Sequence, residues 1–235
     1  ANYTFSESAG TYNAIAGTTA HASGWDDAVT TNTIPLGFTF TYNGTNYTTC
    51  SINTNGYITF GATTSATNLY TPISAATAYA GAISALGFDL ISNASTITYT
   101  TTGVAPNRIF IAQWNNAQRY SGGTIAGDFN FQIRLSETTN TINIIYGTCS
   151  PATNTVYSVQ VGLRGALNTD FKNLSQATTG NWPGVAPAPV GTFALGTANN
   201  QTVLTRTSAL IELTSNRLFR WTPVTCFAPG GLNVT

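Results

Sequence analysis

The sequence predicts an all-β fold: a two-sheet antiparallel β-sandwich of jelly-roll or lectin-like type, with at most one short helix. Three observations carry this expectation. Charged residues fill only 7% of the 235 positions, and Thr, Ser, Asn and Gly take their place. β-Branched Thr packs well on a pleated sheet, while Asn and Gly favour the positive-φ turns that join strands. Asn43-Gly44 and Asn55-Gly56 stand between alternating apolar runs, the strongest short hairpin signal. Finally, about ten short strand-like runs recur along the chain, the number that builds a sandwich.

Taken in order, Ile34 to Phe40 leads through Asn43-Gly44 into Tyr47 to Ile52, and Asn55-Gly56 opens Tyr57 to Phe60. Further runs are Thr96 to Thr100, Arg108 to Trp114, Asp128 to Leu135, Thr141 to Tyr146, Tyr157 to Arg164, Ser208 to Leu213 and Arg217 to Thr222. One helix is predicted within Thr71 to Ala80, with Thr71 as cap and Pro72 in the first helical position. Between Ala166 and Val203 the strands thin out into a stretch around Trp182-Pro183-Gly184, read as a long surface excursion. Residues 1–225 then form one module. Phe227 to Gly231 reads as a linker and Leu232 to Thr235 as the first residues of another strand, so 226–235 is assigned to a linker and the start of a following domain.

Eight Lys+Arg balance eight Asp+Glu. That leaves little charge for neutralising phosphates or for steering toward anionic lipid, which argues against a nucleic-acid binder and a polybasic membrane-surface protein. No run approaches the roughly 18 apolar residues that span a bilayer, and the first residues lack the pattern of a signal peptide, as a processed chain would.

Catalytic machinery is not expected. The one histidine, His21, lies in a loop-like stretch with no Gly-x-Ser-x-Gly elbow. Asp128 and Glu137 bracket one strand nine positions apart, too far for an acid/base pair. No cofactor is called for, calcium excepted: it needs clustered oxygen ligands, and Asp26 with Asp27 is the first candidate and Asp89 the next. Asp89, between Phe88 and Leu90, must find hydrogen bonds, an arginine or a metal if it is buried. Cys50, Cys149 and Cys226 show no metal-binding spacing. Cys149 and Cys226 follow strand ends and are paired as a candidate disulfide, with Cys50 left as a free core thiol.

Two strands split cleanly by period two. Phe129, Phe131, Ile133 and Leu135 should face the core, and Asn130, Gln132 and Arg134 the other side; Val159, Val161 and Leu163 oppose Gln160 and Arg164 in the same way. The outward amide and guanidinium stripes Asn130, Gln132, Arg134 and Arg164 are either a solvated face or a surface that hydrogen-bonds sugar hydroxyls or a protein. Trp114 and Trp221 fall in strands and read as core. Loop-borne Trp182 and Tyr120 are the aromatic candidates for ligand contact.

The series Ile34 to Thr45, Ser51 to Gly61, Ala105 to Trp114, Phe129 to Gly147, and Gln160 to Gly165 with Asn168 to Phe171 resembles a recurrent module of secreted Bacteroidota proteins. The central Ala85-Leu86-Gly87-Phe88-Asp89-Leu90 and the Phe131 to Leu135 strand are also similar to nidogen-like and lectin-like sandwiches. The first resemblance implies export by type IX secretion and a following fibronectin type III domain, with Cys226 to Thr235 as its entry. The expected function is a non-catalytic, secreted or cell-surface module for adhesion or for binding a glycan or surface protein. Two rivals stand beside it: a filament subunit whose partners are copies of itself, and an accessory domain of a secreted hydrolase.

Overall fold

The computed structural model describes residues 2–92, 94–120, 126–150, 158–176, 193–204, 206–207, 210–211 and 215–224. In chain order its strands are β1 (Tyr3–Ala9), β2 (Thr18–His21), β3 (Ile34–Tyr42), β4 (Thr45–Asn53), β5 (Tyr57–Phe60), β6 (Gly81–Gly87), β7 (Leu90–Ile91), β8 (Ile97–Thr102), β9 (Ile109–Arg119), β10 (Ala126–Ser136), β11 (Ile142–Ser150), β12 (Ser158–Arg164), β13 (Phe171–Gln176), β14 (Phe193–Leu195), β15 (Val203–Leu204), β16 (Arg206–Thr207), β17 (Leu210–Ile211) and β18 (Arg217–Pro223). They form two antiparallel sheets. The first runs β1, β18, β11, β10, β9, β8, β2 from edge to edge, with β7 also on β9; the second runs β14, β13, β12, β6, β5, β4, β3, with β15 also on β12. β16 and β17 pair separately.

The expected β-sandwich is therefore present, and the Asn43-Gly44 hairpin with it: Tyr42 pairs Thr45, and the two turn residues hold φ of 50° and 78°, as a primed two-residue turn requires. Phe129, Phe131, Ile133 and Leu135 are buried, as are Val159, Val161 and Leu163. Trp114 stacks on Phe131 with ring centroids 5.1 Å apart.

Buried Trp and Tyr must place their polar hydrogens, and here three side chains of the first sheet donate into the second. Trp114 Nε1 donates to the Thr54 carbonyl (3.1 Å), Trp221 Nε1 to the Lys172 carbonyl (3.1 Å) and Tyr146 Oη to the Ala85 carbonyl (2.6 Å). These bonds pin one sheet on the other.

Both polar stripes depart from expectation. Gln132 and Arg164 are buried rather than solvated, because irregular chain covers the outer face of each sheet. Residues 10–17 cross the first sheet from the β1 edge to the β2 edge. Gln132 Nε2 donates to the Asn13 carbonyl (2.7 Å), Gln113 Oε1 accepts from Ile15 N (2.9 Å), and half-buried Arg134 reaches the Thr11 carbonyl (3.2 Å). The covered amides thus satisfy a backbone that has no ladder of its own.

Residues 61–80 cover the second sheet, and the helix expected within Thr71 to Ala80 does not form there. Ala75 N does bond the Thr71 carbonyl (3.0 Å), but strand side chains capture the groups that would continue the turn. Gln160 Oε1 takes Ile73 N (2.8 Å) and Ser74 N (3.3 Å), while Arg164 donates to the carbonyls of Ala75 (2.8 Å) and Thr77 (2.6 Å). The Arg164 guanidinium also lies 4.3 Å from the centre of the Tyr79 ring.

Two further differences concern strands. β6 reads poorly in sequence because all seven residues are buried and mostly small, so no alternation marks it. The stretch after Ala166, read as strand-poor, contains β13 and β14. Residues 226–235 and Trp182 lie outside the described residues.

Candidate functional site

Asp26, Asp27 and Asp89 come together at one end of the sandwich, with one carboxylate oxygen of each within 4.8 Å of the others. The first two lie in the loop after β2, and Asp89 lies between β6 and β7. The turn from β4 to β5 holds them in place. Thr54 Oγ1 donates to the Asp26 carbonyl (2.6 Å) and accepts from Ala28 N (3.0 Å). Asn55, fully buried, donates from Nδ2 to Asp27 Oδ1 (2.9 Å) and the Thr67 carbonyl (3.1 Å), and accepts at Oδ1 from Leu90 N (2.9 Å). One amide thereby fixes both acidic loops.

That turn depends on Gly56, whose φ is +86° and whose place leaves no room for a side chain: a Cβ there would stand 2.1 Å from the Leu86 carbonyl oxygen. Around the acids, the Tyr70 hydroxyl reaches Asp27 Oδ2 (3.4 Å), Tyr120 N donates to the Asp89 carbonyl (3.0 Å), and the Arg119 guanidinium lies 6.0 Å from the Phe88 ring centre. Partial burial, then the charges of Asp27 and Asp26, push the Asp89 carboxyl from 3.8 up to about 6, against weaker opposition from Tyr70 and Arg119. Like charges held this close favour protonation or a cation.

His21 stands in edge strand β2 rather than a solvated loop. Its Nε2 lies 3.0 Å from the Ile52 carbonyl, and burial lowers its pKa. Among the described residues its ring is hydrogen-bonded to that backbone carbonyl and to no acidic or nucleophilic side chain.

Of the sequence-derived candidates, Tyr120 thus joins the acidic end and is 39% exposed. Asn130 lies elsewhere, with its amide engaged by Asn116 N (2.9 Å) and the Thr148 carbonyl (2.7 Å). Gln132, Arg134 and Arg164 serve the covering segments. Cys50 is buried and free; Cys149 is buried too, its thiol pushed up to about 12 by burial, while its candidate partner Cys226 lies outside the described residues. Asn55 and Tyr70 were missed in sequence: an Asn-Gly pair signals only a turn, and nothing in it reveals an amide aimed at two loops.

Two pinned sheets with covered outer faces, and with acidic and aromatic groups gathered in loops at one end, define an all-β module that presents its chemistry on loops. The family model described as NIDO related matches residues 2–217, and the chain belongs to that family. It is a family of non-enzymatic, extracellular-type modules. No curated protein and no solved structure matches the chain.

Proposed function

We propose that the chain is a non-catalytic binding module of a secreted or cell-surface protein, acting in adhesion, with calcium held by Asp26, Asp27 and Asp89 and Tyr120 beside it on the contact surface. The convergence of three carboxylates from two separate loops, with buried Asn55 bonded to the Asp27 carboxylate and to Leu90 N beside Asp89, is the observation that carries this reading. Calcium takes six to eight oxygen ligands in flexible geometry, and carboxylates are its usual protein donors. The ion would relieve the repulsion that raises Asp89, and the exposed Tyr120 ring would offer a face to a sugar or an apolar side chain. The resemblance to modules exported by type IX secretion supports a surface location and a fibronectin type III neighbour.

The filament reading has less support. One candidate contact is edge strand β3, where Pro35 lacks an N–H, Gly37 holds φ +81°, the pairing shifts between Pro35 and Phe40, and side chains already bond Leu36 O, Gly37 O and Thr41 N. Such features blunt edge-to-edge association.

Calorimetric titration of calcium into the chelator-stripped chain tests the proposal. Binding is expected in the range of about 10⁻⁴–10⁻³ M typical of extracellular modules, with a rise in melting temperature. In Asp89→Asn the calcium response should vanish, while the stripped protein melts about 1–3 °C higher, solvent screening keeping the relief small. A melting temperature unmoved by millimolar calcium would overturn the calcium site.

A further inference from the structure

The opposite end of the sandwich carries a groove of about 810 Å³ where turns from both sheets meet. Strand direction fixes the separation: β4 runs from this groove to the acidic end over nine residues, about 26 Å at 3.3 Å per step. The volume falls within the roughly 300–1,000 Å³ of small-ligand sites. Its chemistry differs from that of the acidic end. Asn and Thr make up most of the lining residues, Asp170 is its one carboxylate, and none of the lining residues is Lys, Arg or His.

The groove is built by side chains that cross between turns. Asn140 Oδ1 accepts from Thr41 N (2.7 Å), tying the β10–β11 turn to the β3–β4 hairpin, and Asn43 Nδ2 donates to Asp170 Oδ2 (3.1 Å). Each asparagine spends one half of its amide in this way. The other halves, Asn140 Nδ2 as donor and Asn43 Oδ1 as acceptor, have no protein partner among the described residues. Both residues hold positive φ, 49° and 50°, so their backbones as well as their side chains are fixed. Pro223 and the 43% exposed Val224 add an apolar wall.

We propose that this groove binds a neutral saccharide, one or two sugar units long. Oriented donor and acceptor amides with a carboxylate acceptor match the paired hydroxyls of a sugar ring, and the apolar wall suits its C–H face. An anionic ligand would meet the Asp170 carboxylate in a lining that holds no Lys, Arg or His, and an aliphatic one would strip water from amides that it could not replace. The proposal deepens the binding reading above by naming a ligand class, and it places that ligand at an end needing no metal.

Ligand-observed saturation-transfer NMR with neutral disaccharides of gluco, galacto and manno configuration and with chitobiose tests it, with the stripped protein in EDTA and again with calcium. At least one sugar should receive saturation in EDTA. Thr139→Trp, which fills the groove from an exposed turn position, should abolish the signal. Asn140→Gly keeps the positive φ and loses the amide, and should weaken binding about tenfold. Binding seen only with calcium would overturn the groove while leaving the calcium-dependent module standing. A signal undiminished in both variants would also overturn it, and no signal under either condition would overturn the saccharide groove while leaving the calcium site to its own titration.

Discussion

Three of the chain's eight acidic side chains lie within 4.8 Å of one another at one end of the sandwich, while at the other end amides and hydroxyls surround a single carboxylate. Both ends are made of turns joining the same two sheets, and both use asparagine to fix them. At the acidic end Asn55 is fully buried beneath its loops, so the charges rest on a rigid support. At the groove end Asn43 and Asn140 line the surface, so half of each amide stays on offer. The same residue type serves as a foundation in one place and as a contact group in the other, and burial decides which.

The glycines should separate the two ends most strongly. Gly56→Ala places a methyl group against the Leu86 carbonyl at positive φ and should cost about 2–4 kcal/mol in urea unfolding. Gly44→Ala, at φ +78° with no atom within 4 Å of its Cβ, should cost only about 1 kcal/mol of backbone strain. Equal losses would mean that the β4–β5 turn is no more constrained than the hairpin.

A smaller effect is expected from Asn140→Ala, which forces Ala to φ near 49° and frees Thr41 N. It should lower stability by about 1–2 kcal/mol, and Asn140→Gly should recover part of that. If both variants unfold at the same urea concentration, strain at this turn is negligible.

The smallest effect concerns pH. Because Asp89 is raised from 3.8 to about 6, the folded state holds its proton more tightly, and this contribution is full below pH 3.8 and lost as pH rises through about 6. His21 is lowered from 6.5, so its contribution is present above pH 6.5 and lost as pH falls through the folded value. In EDTA the two should oppose one another. Melting curves at pH 4 to 7 should show wild type losing ground to Asp89→Asn by a few degrees at most as pH rises; a constant gap would show that Asp89 does not titrate there.

Much of the architecture was legible in sequence, since β10 and β12 alternate cleanly and Asn43-Gly44 admits few turns. The exterior was not. Period two says that Gln132 and Arg164 face away from the core, but not that residues 10–17 and 61–80 return to cover them, because that depends on pairings far apart in the chain. The same limit hid the failed helix: Thr71-Pro72 is a sound start, and Gln160 and Arg164, about ninety positions on, take its backbone groups. The acidic end was half legible. Asp26, Asp27 and Asp89 stood out as uncommon charges, while their support, Asn55, looked like any turn residue.

Fastening the outer segments with carboxamides such as Gln113, Gln132 and Gln160 has an environmental consequence. Such groups do not ionise in the ordinary pH range and gather no counterions. The wrapping of this domain should therefore hold equally in acidified, saline or nearly ion-free surroundings, where a coat stitched together by ion pairs would loosen.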